Sequence, residues 1–151
     1  MKKFKIYLDC CCFNRPFDDL SYDKIRIESE AILTIIAKCE DGIWNIYKSD
    51  ILEDEIDRII NPVKRQKVCE LYRLASLEIK INKEIIDMAK EFQNKELEPF
   101  DALHLASAEY SGADVLLTTD AKFLNRASQI DTKIKIYNPV IWLLEVLYND
   151  V

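Results

Sequence analysis

The chain has 151 residues, of which 49% are hydrophobic and 32% charged, and its net charge is −6. This composition is typical of an ordinary folded chain and excludes a disordered or fibrous protein. The acidic balance argues against a protein that grips nucleic acid by bulk positive charge, but it allows an enzyme whose acids hold metal cations. We predict a single domain over residues 1–151, with no linker or internal repeat.

The five cysteines include three consecutive ones and no CxxC pair. If Cys10, Cys11 and Cys12 were extended, neighbouring thiols would point to opposite faces, which suits neither a disulfide framework nor a zinc site. We expect buried thiols in a reducing cytoplasm. Lys5 and Asp9 interrupt the first apolar stretch too early for a signal peptide, and no run is long enough to span a membrane. The sequence therefore predicts a cytoplasmic protein without a membrane partner.

Apolar runs alternate with segments of helical periodicity along the chain, a pattern that predicts an α/β fold with a parallel sheet between helical layers. The predicted strands cover 4–8, 43–47, 115–118 and 133–137, and 77–81 is either a short strand or an extended link. A loop is predicted over 14–19. The predicted helices cover 21–40, 49–60, 61–75, 82–95 and 99–111, with two more beginning at 121 and 139.

Four acids are predicted to lie at the ends of these elements. Asp9 ends the first strand and Asp120 ends the strand at 115–118, while Asp101 lies in the opening turn of the helix that begins with Pro99. Glu55 lies beside the apolar face of its predicted helix. Ligands bind at the carboxyl ends of strands in open parallel sheets, so we expect these acids to meet at one edge.

Converging carboxylates repel one another, so such a site needs protons or cations. Several carboxylates without a histidine or cysteine partner match hard ions, which favours Mg²⁺ or Mn²⁺ over zinc. A metal held in this way can contact a phosphate oxygen and lower the pKa of a bound water. The pattern predicts metal-dependent hydrolysis of phosphodiester bonds.

The motifs that carry these acids resemble the PIN domain over essentially the whole chain. They are Leu8-Asp9, Ser49-x-x-Leu52-x-x-Glu55, Pro99-Phe100-Asp101-Ala102-Leu103-His104-Leu105-Ala106 and Thr118-Thr119-Asp120. The resemblance implies a three-layer α/β/α sandwich around a short, mostly parallel sheet, often in a homodimer. It also implies Mg²⁺ or Mn²⁺ bound by Asp9, Glu55, Asp101 and Asp120. Many members are ribonucleases, including VapC-like toxins paired with a small antitoxin protein.

The chain departs from the family pattern at two positions. Cys10 stands where members commonly carry threonine or serine, and Lys122 stands where many have a further acid. The first departure concerns metal positioning, and the second concerns whether one metal or two are held. Neither removes one of the four acids.

Several further side chains are candidates for supporting roles. Arg15 could hold a phosphate beside Asn14, or both could simply belong to an anchored loop. Lys122 and Arg126 could contact the RNA backbone, although solvated surface charge is the default for exposed lysines. Ser49 and Thr118 could hydrogen-bond the acids, although Ser49 is equally well explained as a helix cap. His104, the only histidine, shares a helical face with Asp101, which favours a supporting hydrogen bond or packing over general-base chemistry.

Three other functions compete with a ribonuclease. A catalytically silent PIN module could act as an RNA-binding or protein-interaction scaffold. A phosphoacceptor domain also gathers acids at strand ends, but the pair Asp18-Asp19 lies outside the position such a domain requires. The two glycines of the chain cannot form the phosphate loop of a dinucleotide-binding or P-loop enzyme.

Overall fold

The structure, a computed structural model, describes residues 2–149. Five parallel strands form one sheet in the order β3-β2-β1-β4-β5. Helices cover both sides of this sheet, as expected for the α/β/α sandwich. The strands are β1 (Lys5–Leu8), β2 (Asn45–Ser49), β3 (Leu77–Ile79), β4 (Val115–Leu117) and β5 (Lys135–Tyr137).

Eight α-helices are present in the described part of the chain. They are α1 (Cys10–Asn14), α2 (Asp23–Glu40), α3 (Asp50–Asp57), α4 (Pro62–Tyr72), α5 (Lys83–Gln93), α6 (Pro99–Ser111), α7 (Ala121–Ala127) and α8 (Pro139–Asn149). Within residues 2–149, none of the helices combines the length and apolar character needed to cross a bilayer.

The central strands are buried on both faces, as short apolar runs predict. Val115, Leu116 and Leu117 of β4 are at most 1% exposed, and the apolar residues of β1 pair with them in parallel register. Strand order reverses after β3, since α5 and α6 return the chain to pair β4 with the other side of β1. The reversal makes the carboxyl ends of β1 and β4 the switch point of the sheet, and we call the space outside them the crevice, since parallel sheets bind ligands there.

Local sequence explains where most helices begin and end. Ser49, Asn61 and Asn82 accept hydrogen bonds from backbone N–H groups in the first turns of α3, α4 and α5. Pro99 occupies the first turn of α6, where a missing N–H costs nothing. Gly112 ends α6 in the left-handed conformation, with φ of 74°, that glycine adopts without strain.

The predicted loop at 14–19 is wrong over 14–17, where the chain is helical, while residues 18 and 19 lie outside the helices. Asp9 accepts a hydrogen bond from the Cys10 N–H and starts the short helix α1, and a 3-10 turn over Arg15–Phe17 follows. The consecutive cysteines therefore follow a helical path. Cys10 and Cys12 are buried while Cys11 is partly exposed, and all five cysteines are free thiols.

Several element boundaries also differ from the predictions. β2 begins at Asn45 because the backbone N–H groups of Ile43 and Trp44 both turn back to the Lys38 carbonyl and close α2. Tyr22 rather than Ser21 precedes α2. Helix α3 ends at Asp57 and α4 at Tyr72, each earlier than predicted. The segment after α4 is a true edge strand, β3.

Candidate metal-binding site

Asp9 lies at the centre of the crevice between β1 and β4 and is 5% exposed. Its carboxylate accepts hydrogen bonds from the Cys10 N–H at 2.7 Å, the Thr118 hydroxyl at 2.9 Å and the Cys11 thiol at 3.3 Å. Its own N–H donates to the carbonyl of Leu117. Both strand ends therefore fix the direction of this carboxylate.

Thr118 connects Asp120 to Asp9 through two hydrogen bonds. The Asp120 N–H donates to the Thr118 hydroxyl oxygen at 3.0 Å, while that hydroxyl donates to Asp9. One oxygen of the exposed Asp120 carboxylate caps α7 by accepting from the N–H groups of Lys122 and Phe123. The residues of the Thr-Thr-Asp motif thus link the two strand ends.

Glu55 reaches the crevice from α3 and contacts His104 from α6. His104 Nε2 hydrogen-bonds the Glu55 carboxylate and lies 3.6 Å from an oxygen of Asp9. One ligand atom from each of these three residues lies within 4.8 Å of the other two. His104 is completely buried, so its ring occupies the interior side of the acidic cluster.

Charge raises the pKa of His104. Burial alone would lower this pKa, but the hydrogen bond that His104 donates to Glu55 and the charges of Asp9, Glu55 and Asp101 raise it above the usual value. Nearby carboxylates stabilise the protonated, positively charged form of a histidine, because the positive ring offsets the repulsion among the negative groups.

Asp101 lies in the first turn of α6 and is partly buried. Burial raises the pKa of its carboxyl to about 7, and the charges of Asp9, Asp120 and Glu55 contribute, partly offset by His104. The charges of the other three predicted acids therefore act on the Asp101 carboxyl. Carboxylates crowded in this way would become more acidic on meeting a divalent cation.

The other predicted site residues lie around this cluster. Arg15 pairs with Asp18 at 3.2 Å and with buried Glu28 at 3.1 Å, contacts that hold its guanidinium inside the protein. The Asn14 amide donates to the Cys10 sulfur at 3.6 Å. Lys122 is exposed on α7, and Arg126 lies 3.4 Å from Glu98. Substrate binding by Asn14, Arg15, Lys122 and Arg126 stays a prediction.

The prediction that the acids lack a histidine or cysteine partner is wrong. His104 binds Glu55, and the Cys11 thiol donates to Asp9. The alternative of a supporting hydrogen bond from His104 is confirmed, as is the one from Thr118. Tyr7, whose hydroxyl lies 2.6 Å from His104 Nδ1, was not predicted at all. Its polar tip inside an otherwise apolar strand is the signal that could have identified it.

Comparison with known proteins assigns the chain to a family. The family model described as PIN domain matches residues 6–129. The chain belongs to the PIN domain family. PIN domains are generally metal-dependent nucleases, and in this one ligand atoms of Asp9, Glu55 and His104 lie within 4.8 Å of one another.

Two solved structures share the PIN fold of this chain. The structure of VapBC2 from Rickettsia felis, bound to a DNA fragment from its promoter, superimposes with a TM-score of 0.57 at 13% identity, covering 89% of this chain and 98% of that one. PAE2754 from Pyrobaculum aerophilum gives a TM-score of 0.53 at 18% identity, covering 97% and 90%. No curated protein matches the chain significantly.

Proposed function

We propose that this PIN domain protein is a Mg²⁺- or Mn²⁺-dependent endoribonuclease that hydrolyses RNA phosphodiester bonds, and that residues 1–151 act as one catalytic domain. The observation that carries the proposal is the grouping of Asp9, Glu55 and His104, whose ligand atoms lie within 4.8 Å of one another, while the charges of Asp9, Glu55 and Asp120 act on the Asp101 carboxyl. The raised pKa of Asp101 reflects burial among negative charges. A site built in this way is suited to bind cations.

The donor set fits a hard divalent ion. Asp9, Glu55, Asp101 and Asp120 offer carboxylate oxygens, which Mg²⁺ and Mn²⁺ prefer, and these four residues would hold the ion. A bound ion would act as a Lewis acid that lowers the pKa of an attacking water and neutralises charge on the phosphate. His104 contacts Oε1 of Glu55, and the Glu55 side chain remains 27% exposed.

The remaining polar residues orient and balance the acids. Thr118 and the Cys10 N–H hold the Asp9 carboxylate, and His104 holds Glu55. The raised pKa of the Asp101 carboxyl favours its protonated form in the ion-free protein, which lowers the negative charge of the crevice. These contacts preorganise the carboxylates, so little rearrangement accompanies binding.

The partners of this enzyme follow from its family. We propose RNA as the substrate and a cognate antitoxin protein as the regulator, with the chain as the toxin of a type II pair in the cytoplasm, acting as a homodimer. The likeness to VapBC2, a complex described on promoter DNA, supports the antitoxin partner.

A silent scaffold is the second candidate, and the departure at Cys10 is the observation that favours it. The hydroxyl of Thr118 nevertheless donates to Asp9, so this carboxylate has the hydroxyl partner that the residue after it does not supply. The presence of all four acids at the crevice also favours the enzyme over the scaffold.

The direct test is cleavage of single-stranded RNA with Mg²⁺ or Mn²⁺. We expect metal-dependent cleavage by the natural chain and loss of cleavage in Asp9→Ala and Glu55→Gln. Glu53→Gln is the matched control, because Glu53 lies on the same helix as Glu55 but accepts a hydrogen bond from the Tyr72 hydroxyl. If the natural chain cuts no RNA with either ion, and Asp101→Asn leaves RNA binding unchanged, the scaffold is the better description.

A further inference from the structure

A buried row of polar groups leads from the interior of the sheet to Glu55. The Leu52 N–H donates to the Ser49 hydroxyl at 3.1 Å, and that hydroxyl lies 2.8 Å from the Tyr7 hydroxyl. Tyr7 in turn lies 2.6 Å from His104 Nδ1, and His104 Nε2 contacts Glu55. The row joins β1, the junction of β2 with α3, and α6, three parts of the chain that are far apart in sequence.

The direction of each hydrogen bond follows from the donors available. An ionised Glu55 carboxylate only accepts, so Nε2 of His104 carries a hydrogen. In the protonated ring Nδ1 donates to the Tyr7 oxygen and the Tyr7 hydroxyl donates to Ser49, whereas in the neutral imidazole Nδ1 is an acceptor for the Tyr7 hydroxyl. The Tyr7 oxygen can accept from the Ser49 hydroxyl, whose own oxygen accepts from Leu52. Every polar group in the row is thereby satisfied.

The row is buried except at its end. Tyr7 and His104 are 0% exposed and Ser49 is 1% exposed, whereas the Glu55 side chain is 27% exposed and faces the crevice. A ring clamped at both nitrogens cannot rotate, while a glutamate on a helix surface has several accessible rotamers. The clamped ring therefore limits where the Glu55 carboxylate can lie.

We infer that Tyr7 and His104 form a positioning arm that sets the orientation of the Glu55 carboxylate for metal binding. This inference rests on the proposed function, because it concerns the same metal-binding cluster. Partners of this kind, behind the ligands, typically change metal affinity or activity by about 10–100-fold when they are removed. Tyr7 and His104 are positioning residues, since neither is placed against substrate.

The test compares two buried tyrosines. Tyr7→Phe removes only the hydroxyl that fixes His104. Tyr47→Phe is the control, because Tyr47 is also a buried strand residue, but its hydroxyl donates to the Ser111 carbonyl at 3.3 Å. We expect calorimetric titration with Mn²⁺, without RNA, to give an affinity about tenfold lower for Tyr7→Phe and unchanged for Tyr47→Phe.

A second pair of variants separates positioning from packing. The amide nitrogen of His104→Gln extends to the place of Nε2 and can still donate to Glu55, whereas that of His104→Asn reaches only the place of Nδ1. We expect His104→Gln to retain more Mn²⁺ affinity than His104→Asn. A purely structural role would predict similar losses, since both substitutions leave space in the same buried position.

The single histidine gives a spectroscopic readout that does not depend on metal. In ¹⁵N spectra of the neutral ring we expect a protonated Nε2 and a hydrogen-bonded Nδ1. In Tyr7→Phe the Nδ1 resonance should shift towards that of an unbonded acceptor nitrogen, while Tyr47→Phe leaves it in place. This measurement remains informative even if the His104 variants fail to fold.

The outcomes distinguish the inference from the proposed function. If the natural chain binds Mn²⁺ and Tyr7→Phe binds it equally well with an unchanged Nδ1 resonance, the positioning arm is refuted while the nuclease stands. If the natural chain itself binds neither Mn²⁺ nor Mg²⁺, the proposed function fails, and the inference fails with it.

Discussion

Different kinds of side chain are buried at the two ends of the strands, the amino-terminal end and the carboxyl-terminal end of the sheet. At the amino-terminal edge Phe4, Trp44 and Trp142 pack edge to face, with ring centroids 5.2 to 5.9 Å apart. At the carboxyl-terminal edge the buried residues include Asp9 and His104, which depend on hydrogen bonds and on one another's charge. The comparison teaches that the amino-terminal end of the sheet contributes apolar packing, whereas the carboxyl-terminal end holds charged groups that are oriented in advance of binding.

The largest expected effect comes from disrupting the apolar edge. Trp142→Ala removes a ring that is 5% exposed and contacts both other aromatic rings, so we expect a loss of about 3–5 kcal/mol in the free energy of unfolding. Urea denaturation measures this loss. The remaining folded protein should bind Mn²⁺ normally; weaker binding by the folded fraction would show that the two edges are coupled.

In contrast to Trp142→Ala, Asp101→Asn should impair RNA cleavage without lowering the free energy of unfolding. We expect RNA cleavage to fall at least about 100-fold, because a carboxylate of the proposed metal site is lost. The ion-free variant should unfold at the same urea concentration or a higher one, since a neutral amide removes repulsion with Asp9 and Asp120. Parallel cleavage and denaturation assays test both effects, and a variant that is destabilised yet fully active would refute this assignment.

The pH dependence of stability should reveal the same crowding. The Asp101 carboxyl has a usual pKa of 3.8 when unfolded and about 7 when folded, so the folded state binds more protons between these values. Its stabilising contribution is therefore present below pH 4 and is lost as the pH rises through 7. In ion-free protein the free energy of unfolding should fall more steeply over this interval than in Asp101→Asn. Equal slopes in the two proteins would mean that Asp101 is not crowded.

The smallest expected effect concerns the rim of the crevice. Lys122→Ala should weaken RNA binding modestly and lower the salt dependence of binding by about 0.7 in log–log slope, the value for one phosphate contact on a single strand. Lys133→Ala is the control, because this exposed lysine precedes β5 and therefore lies at the amino-terminal end of the sheet, away from the crevice. Fluorescence anisotropy at several salt concentrations measures the RNA affinity and its salt dependence. Identical slopes for the two variants would show that Lys122 does not contact the RNA.

Much of the fold could be predicted because local signals were strong. The apolar run of β4, the asparagine caps of α4 and α5, and Gly112 after α6 each specify an element through near neighbours in sequence. The helix at Cys10 could not be predicted in this way. It begins because Asp9, whose orientation depends on Thr118 more than one hundred residues away, also accepts the first free N–H group.

The places of Asp9 and Asp120 at strand ends were predictable, whereas the contacts that support the acids were not. Asp9 and Asp120 follow strands, so topology alone brings them to one edge of the sheet. The bond between Tyr7 and His104 joins residues 97 positions apart, and no periodicity within either element signals it. Long-range polar pairs of this kind depend on the packing of α6 against the sheet, which becomes visible only in three dimensions.

The central claim is that four carboxylates form one site for a divalent cation, and calorimetric titration of Mn²⁺ into ion-free protein tests it most directly. We expect saturable binding by the natural chain, a higher unfolding temperature in the presence of the ion, and loss of both in Asp9→Asn. Absence of saturable binding by the natural chain, or undiminished binding by Asp9→Asn, would contradict the claim.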